Sequence, residues 1–298
     1  MSKVTCYLAL SVLHRQRASA GVVLGTLAAG LLAAPVAADP MFGTEVAGID
    51  ILESDELPPA PAQSASADDL DFCGHYFVET PKTAAGRLVE SLGWHVTAEV
   101  EAGEVTAVSF LAEMTPGMSG TCTLIDGNIG LFADDQLLAL VYGSEEGSTQ
   151  IGKIRPLEPP DGLRIWSGEE LPQPIADLWP IDTIGAHVTP LAQTEKLCQG
   201  QASVPFIYGL PVDRARQMLM AAVWAPVPHT DKRESLYCIA NEVAAAGVTE
   251  VEDCSGTGFG FCIYTYEGVA GKLTVRTYGD IGEGGRLPLV DEYWVDCR

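Results

Sequence analysis

The first 38 residues constrain this chain more than any other stretch, because they predict the compartment in which the rest folds. Lys3, Arg15 and Arg17 give the start three positive charges and no carboxylate. An apolar run over 22–34 follows and ends in small residues. A basic start, an apolar centre and a small-residue cleavage site are the three parts of a secretory signal peptide. We therefore predict a signal peptide over 1–38 and a periplasmic or secreted protein.

The cleavage site is predicted after Ala38, with Ala37 as the alternative. Val36 and Ala38 supply the small residues that the processing enzyme requires. The stretch 18–38 is also about long enough to span a bilayer, so an uncleaved anchor is the competing interpretation. No Cys follows the apolar run in lipobox position, and no later segment is apolar enough to cross a membrane. We therefore expect no integral membrane domain after cleavage.

The predicted export determines which chemistry is expected of the cysteines. In an oxidising compartment, cysteines are expected to form disulfides rather than metal or redox sites. Seven of them follow the leader, so an odd one is left over for a free thiol or an intermolecular bond. The disulfide candidates are Cys73, Cys122, Cys198, Cys238, Cys254, Cys262 and Cys297.

The charge balance excludes two classes of partner. The chain has 40 acidic and 17 basic residues, for a net charge of −23, and removal of the leader takes away three of the cations. Nucleic acids and anionic membrane surfaces repel such a protein. We therefore expect no nucleic-acid partner, and the negative charge is also enough to explain solubility.

Composition divides the mature chain into four segments. Residues 39–71 are acidic and rich in Pro and Ala, which predicts a disordered spacer in which only 49–52 can dock. We expect a first α+β module over 72–150 and a second over 196–298. The Pro-rich segment 151–195 between them is expected to bridge the modules or pack on the first.

Helical periodicity opens the first module. Thr80-Pro81 has the composition of a helix start. The next apolar residues fall on one helical face, Gly93 ends the helix, and Trp94 follows. The face consists of Ala85, Leu88, Val89 and Leu92. Five strand-like runs come next, over 95–100, 105–111, 121–125, 130–132 and 137–142.

A similar pattern recurs about 130 residues later. Leu210-Pro211 opens a second helix, and Trp224 lies nine residues after Ala215, as Trp94 does after Ala85. The second apolar face consists of Ala215, Met218, Leu219 and Ala222. Both units also have a Cys-bearing strand (Cys122, Cys262) and a strand that ends in Tyr-Gly (Tyr142, Tyr278). These parallels predict an α+β fold of two diverged helix-plus-antiparallel-sheet modules, the product of tandem duplication.

These units carry two resemblances. The succession of a helix, a Trp and an antiparallel meander is similar to the small αβββ-type units of bacterial envelope proteins. The tandem arrangement with Cys in each unit resembles secreted β-lactamase-inhibitor proteins. The resemblance implies an architecture and no activity, because function belongs to sites rather than to folds.

The string from Cys254 to Cys262 is rich in glycine but lacks the context of a phosphate loop. A dinucleotide site needs its glycines between a strand and a helix N-terminus. Here acidic residues precede the glycines and a strand over 261–266 follows them. We predict a tight strand-to-strand connection, for which a Cys254–Cys262 disulfide is the candidate closure and Phe259 at its tip a candidate partner contact.

A metal site and a disulfide compete for the first module's cysteines. Cys73, His75, His95 and Cys122 contain the ligand types of a Cys₂His₂ zinc site, but not its short paired spacing. A Cys73–Cys122 disulfide uses the same thiols, and we predict no metal and no cofactor. The loop from Asp126 lacks the acidic twelfth position of a calcium loop and is predicted to be a hairpin turn.

The tryptophans divide into two pairs. Trp94 and Trp224 follow helices at the same offset, which predicts core packing. Trp166 and Trp179 in the Pro-rich segment are candidates for lining a peptide groove.

These patterns leave three classes of function open. A non-catalytic binding or inhibitory protein of the bacterial cell envelope is favoured by the predicted export, disulfides and tandem modules. A periplasmic enzyme with His75 and His95 among its site residues is the alternative. A structural envelope component held by an uncleaved leader is the third.

Overall fold

A computed structural model describes residues 42–62, 65–144, 150–158, 162–181, 185–229, 238–256 and 258–298. The predicted signal peptide lies outside these residues, as do the side chains of Ile181 and Cys238. Four helices and nineteen strands occur in the described part, and the predicted α+β class is confirmed. The helices are α1 Ala67–Cys73, α2 Ala84–Ser91, α3 Val212–Ala221 and α4 Cys238–Ala245. The strands are β1 Phe42–Thr44, β2 Ile49–Glu53, β3 His95–Ala102, β4 Val105–Leu111, β5 Glu113–Pro116, β6 Cys122–Ile125, β7 Asn128–Ala133, β8 Gln136–Gly143, β9 Ile151–Pro156, β10 Leu163–Ser167, β11 Pro174–Ile181, β12 Gly185–Thr189, β13 Thr194–Leu197, β14 Ala202–Pro205, β15 Ala225–Pro226, β16 Val251–Cys254, β17 Cys262–Glu267, β18 Gly271–Tyr278 and β19 Leu289–Cys297.

Three five-stranded sheets organise these strands. Sheet I has the order β2-β8-β7-β4-β3, and sheet II has the order β1-β12-β11-β10-β9. Sheet III runs β15-β17-β18-β19, with β16 paired to β17. Their pairs are antiparallel except for β1 with β12. Two-stranded ribbons, β5-β6 and β13-β14, complete the set.

Sheets I and II form a sandwich in which alternate residues of the strands point into a shared apolar core. Ile129 and Val141 of sheet I share one buried core with Ile165 and Val188 of sheet II. The other face of sheet I packs against α2 through Ala85 and other apolar residues. The Pro-rich segment predicted as a bridge therefore supplies four of the five strands of sheet II.

The acidic segment from residue 42 onward is more ordered than its composition predicts. The sequence predicts a disordered spacer over 39–71, yet β1, β2 and most of α1 lie within it. β2 pairs with β8 along the edge of sheet I, and its Ile49 is only 3% exposed. An open sheet edge supplies backbone hydrogen bonds that a composition argument does not count. The docking expected at 49–52 is the part of the prediction that is observed.

Two details of the predicted helices need correction. The first helix begins after Thr83 rather than Thr80, since the Thr83 side chain accepts a hydrogen bond from the Gly86 amide. In α3, Val212 is buried and Met218 is 38% exposed, so Val212 takes the place predicted for Met218. Ala85, Leu88 and Val89 of α2 pack into a core as predicted, and so do Ala215 and Leu219 of α3 and Ala222 directly after it.

Three disulfides join cysteines that the sequence nominated. Cys73 bonds to Cys122, Cys198 to Cys297 and Cys254 to Cys262. The first ties α1 to the β5-β6 ribbon, and the second ties the end of β19 to the loop before β14. Closing a loop of about 50 to 100 residues stabilises a fold by roughly 4 kcal/mol in the chain-entropy model.

The predicted tandem repeat has a partial counterpart in the topology. α2 leads into the antiparallel order β3-β4-β7-β8, and α3 leads into β15-β17-β18-β19. However, Cys122 lies in the separate β5-β6 ribbon, whereas Cys262 begins a strand of sheet III. Tyr142 lies in the fourth strand of its meander and Tyr278 in the third. Those two sequence parallels therefore fall at different places, and duplication stays a prediction. All described residues belong to one compact unit, Pro40–Arg298.

Candidate functional site

The cysteines and histidines of the hypothetical zinc site do not converge. Both sulfurs are used in the Cys73–Cys122 disulfide. His75 Nδ1 lies 3.1 Å from the Phe72 carbonyl oxygen, and His95 stacks on Phe77 at 4.9 Å. Burial lowers the pKa of His95. Within the described ranges, no group of three or more metal-ligating side chains is found.

The glycine-rich string is a strand-to-strand connection. Cys254 and Cys262 are directly paired across β16 and β17 and are bonded to each other, as predicted. Phe259 is half-buried, with its carbonyl accepting from the Gly279 amide, so it is not the exposed tip that was expected.

The loop at Asp126 is a turn but not a hairpin. It joins β6 to β7, and these strands pair with other strands rather than with each other. Gly127 bridges to Ile151, and a Cβ at Gly127 would lie 1.7 Å from the Ile151 carbonyl oxygen. Only glycine allows this close approach between the loop and β9.

The helix-following tryptophans lie in cores, as predicted. Trp224 is 4% exposed and donates to the Ser203 carbonyl. Trp94 donates to the Pro58 carbonyl and packs edge-on against Phe110. Of the other pair, Trp179 donates to the Thr189 hydroxyl, while Trp166 lines a cavity.

This central cavity, of about 200 Å³, is the candidate site. Its wall combines β9 and β10 of sheet II, β18 and β19 of sheet III, and the loops around Thr121, Glu170 and Phe261. A wider cleft of about 540 Å³ is lined by Glu101, Glu104 and Asp134, whose charges have one sign only. Unlike that cleft, the central cavity is lined by charges of both signs.

Strand register places two cations of β9 on one wall. Lys153 and Arg155 are two residues apart, so both point away from the sandwich core that holds Ile154. Lys153 lies directly opposite Trp166, and Arg155 lies opposite Arg164. The face of sheet II that turns away from sheet I is therefore basic and aromatic in a strongly acidic chain.

Two arginines meet over one glutamate. The Arg155 guanidinium lies 4.3 Å from the centre of a Trp166 ring, and that of Arg276 lies 4.8 Å from Phe261. Both form ion pairs with Glu292, each at 2.9 Å. Such cation–π contacts hold each guanidinium in position over an aromatic ring.

Arg276 has a second carboxylate partner. Its Nη2 lies 2.7 Å from Asp291 Oδ2, and its Nε contacts the same carboxylate. Asp291 is buried, which raises its pKa, while the bonds from Arg276 act in the opposite direction. Two arginines and two carboxylates are thus committed to one another.

Lys153 differs from both arginines. It is half-buried, and its ammonium makes no ion pair within 4.0 Å among the described residues. Burial lowers the pKa of Lys153, nearby Arg155 lowers it further, and Glu292 partly offsets these effects. The ammonium itself is not a fully buried atom, so it keeps contact with water and is available to a ligand.

A carboxylate on the opposite loop is similarly uncommitted. Glu170 lines the cavity and accepts a hydrogen bond from the Thr121 hydroxyl at 3.2 Å. It makes no ion pair within 4.0 Å in the described part of the chain, not even with Lys153. The Met118 carbonyl oxygen lies nearer to the same hydroxyl, at 2.6 Å, and because a hydroxyl has one proton, it serves only one of the two acceptors at a time.

Behind the cavity lies a polar network that is fully engaged. Arg164 bonds to Asp177 at 2.9 Å and to Glu195 at 2.6 Å, and Tyr293 donates to Glu195 at 2.7 Å. These contacts raise the pKa of Arg164, although burial opposes them. Tyr208 packs between the Tyr293 and Trp166 rings and connects the network to the cavity wall.

A comparison with known protein families, curated proteins and solved structures finds no match to this chain. The described helices include none that is both long and apolar enough to cross a membrane. The site therefore has to be judged by its own geometry.

Sequence reasoning missed most of the residues that line the cavity. It singled out Trp166 but not Lys153, Arg155, Glu170 or Arg276. The Lys-x-Arg spacing in a strand was a usable signal, because period two places both cations on one face. Cations on one face are informative in a chain with more than twice as many acidic as basic residues.

Proposed function

We propose that this chain is an exported, non-catalytic binding protein of the bacterial cell envelope, and that it holds a small charged ligand in the central cavity. The observation that carries the proposal is Lys153, a half-buried cavity residue whose ammonium has no ion-pair partner in the described residues. A ligand group of opposite charge supplies the partner that the cavity wall does not.

The committed charges around Lys153 support binding rather than catalysis. Arg155, Arg276, Asp291 and Glu292 are locked in mutual ion pairs. Groups fixed in this way orient a ligand but are poorly placed to exchange protons with it. The His75 and His95 pair suggested for an enzyme does not line this cavity.

Export and the modular origin belong to the same proposal. The disulfides suit an oxidising compartment, and the two helix-plus-meander topologies suit a diverged duplication. The cavity lies where sheets II and III meet, and meeting points between structural units are common ligand sites.

Thermal unfolding in the presence of small compounds tests the binding. Acetate, phosphate, ethylamine and the twenty L-amino acids are each added at 10 mM to the mature protein. A ligand present at 100 times its Kd stabilises the fold by about 2.7 kcal/mol, which raises Tm by roughly 5 °C or more in a chain of this size. The shift should disappear in Lys153→Met.

The matched control is Lys272→Met, which removes an exposed lysine from β18. It should keep the full shift. If no compound stabilises the protein, or if Lys153→Met responds as the wild type does, the proposed site is wrong. Mass spectrometry of the recovered ligand should show it unchanged, and conversion to a product would contradict the non-catalytic part.

A further inference from the structure

The charges of the central cavity define the ligand more narrowly than its volume does. Three cations and three carboxylates line it, so the wall is neutral overall. The cations are Lys153, Arg155 and Arg276, and the carboxylates are Glu170, Asp291 and Glu292. A ligand with a net charge would pair with wall charges of one sign only and would leave those of its own sign without a partner where it displaces water.

Pairing within the wall leaves one charge of each sign available. The two arginines are satisfied by Asp291 and Glu292. Lys153 and Glu170 are the members of the set without an ion pair in the described residues, and they are more than 4.0 Å from each other. They belong to different elements, β9 and the loop between β10 and β11.

Resting on the proposed function, we infer that the ligand is a small zwitterion of the free α-amino acid type. Its carboxylate binds the Lys153 ammonium, and its ammonium binds the Glu170 carboxylate. Each of these two wall charges then gains a partner, and the cavity stays neutral. A carboxylate alone would satisfy Lys153 but would face Glu170, and an amine alone would face Lys153.

The size and the remaining wall agree with this class. A volume of about 200 Å³ holds roughly seven water molecules at about 30 Å³ each, which is close to the size of one amino acid. Tyr76, Leu171, Pro172 and Phe261 line the cavity as well. These residues suit an apolar side chain of medium length, so leucine is the reference probe.

Two analogues remove one charge from leucine at a time. 4-Methylpentanoate lacks the amino group, and 3-methylbutylamine lacks the carboxylate. Isothermal titration of the full mature protein should show leucine binding at least tenfold more tightly than either analogue. An isosteric loss of this size reflects an unpaired charge rather than lost contact area.

Two variants connect each ligand charge to its protein partner. In Lys153→Met, leucine should bind at least tenfold more weakly, and its advantage over 3-methylbutylamine should vanish. In Glu170→Gln, its advantage over 4-methylpentanoate should vanish. This pairing of ligand and protein deletions is a double-mutant cycle, which a merely misfolded variant would not reproduce. Lys272→Met and Glu169→Gln, both at exposed positions, should bind leucine as the wild type does.

The outcomes separate this inference from the proposed function. If 4-methylpentanoate binds as tightly as leucine, or if acetate or phosphate binds through Lys153 while none of the twenty amino acids does, the zwitterion is overturned and the ligand is an anion. If none of these compounds binds, both proposals fall.

Discussion

Arg164 and Lys153 are buried to different degrees on neighbouring strands of sheet II, and the difference in their partners separates structure from candidate function. Arg164 is 3% exposed and bonds to two carboxylates. Lys153 is half-buried and makes no ion pair with a described residue. A cation whose hydrogen-bond donors are engaged by carboxylates stabilises the fold, whereas a cation without an ion-pair partner can still bind a ligand.

The largest effect is expected from Arg164→Met. It leaves the buried carboxylates of Asp177 and Glu195 without their cation, and breaking such a pair costs about 3–5 kcal/mol. Urea denaturation with the disulfides intact measures the loss. Arg214→Met, at an exposed position of α3, should change the free energy of unfolding by no more than about 0.5 kcal/mol. A similarly small change in Arg164→Met would show that Arg164 does not stabilise the fold.

Glu195→Gln is expected to have an intermediate effect. The amide keeps an acceptor oxygen for Tyr293 or Arg164 but loses the charge that serves both. Because Asp177 still holds Arg164, the loss should be about 2 kcal/mol, the size of a charged hydrogen bond. The same urea titration measures it, and a loss as large as that of Arg164→Met would show that Asp177 cannot hold the arginine alone.

Lys153→Met should cost no stability at pH 7. Replacing an unpaired, half-buried ammonium by an apolar side chain of similar length is expected to leave the free energy of unfolding unchanged or to raise it by up to about 1 kcal/mol. A clear destabilisation in urea would mean that Lys153 has a structural partner, which would contradict its assignment to a ligand site.

The smallest expected effect is a change with pH in the stability difference between the wild type and Lys153→Met. Burial and Arg155 lower the pKa of Lys153 in the folded protein below 10.5, so the unfolded chain binds more protons between the two values. The wild type should therefore gain stability relative to Lys153→Met as the pH rises through that window. Urea titrations of both proteins from pH 7 to 10.5 measure it, and a constant difference would contradict the lowered pKa.

Sequence patterns predicted local structure well where one face of an element is apolar. The strand expected over 105–111 is β4, and Ala85 and Val89 are buried on the predicted helical face. Pairings that depend on distant residues were not accessible in this way. The Cys198–Cys297 bond, the edge position of β2 and the meeting of Arg155 with Glu292 are set by how sheets stack.

Most residues of the cavity could not be predicted from the sequence for the same reason. Its cations come from β9 and β18, and its carboxylates come from a loop and β19. No short motif contains them, because the chemistry arises from two sheets that face each other. The alternating Lys-x-Arg pair of β9 was visible in the sequence, but its counter-charges were hidden among forty acidic residues.

The strands β1 and β2 have a consequence for how the chain is made. Phe42 pairs with Ala186, and Ile49 pairs with Gly143, so neighbouring strands belong to two different sheets. Synthesis runs from the N-terminus, and β1 is finished long before β12 exists. Sheet II can therefore be completed only after residue 189 has been synthesised. Until then β1 has no partner strand.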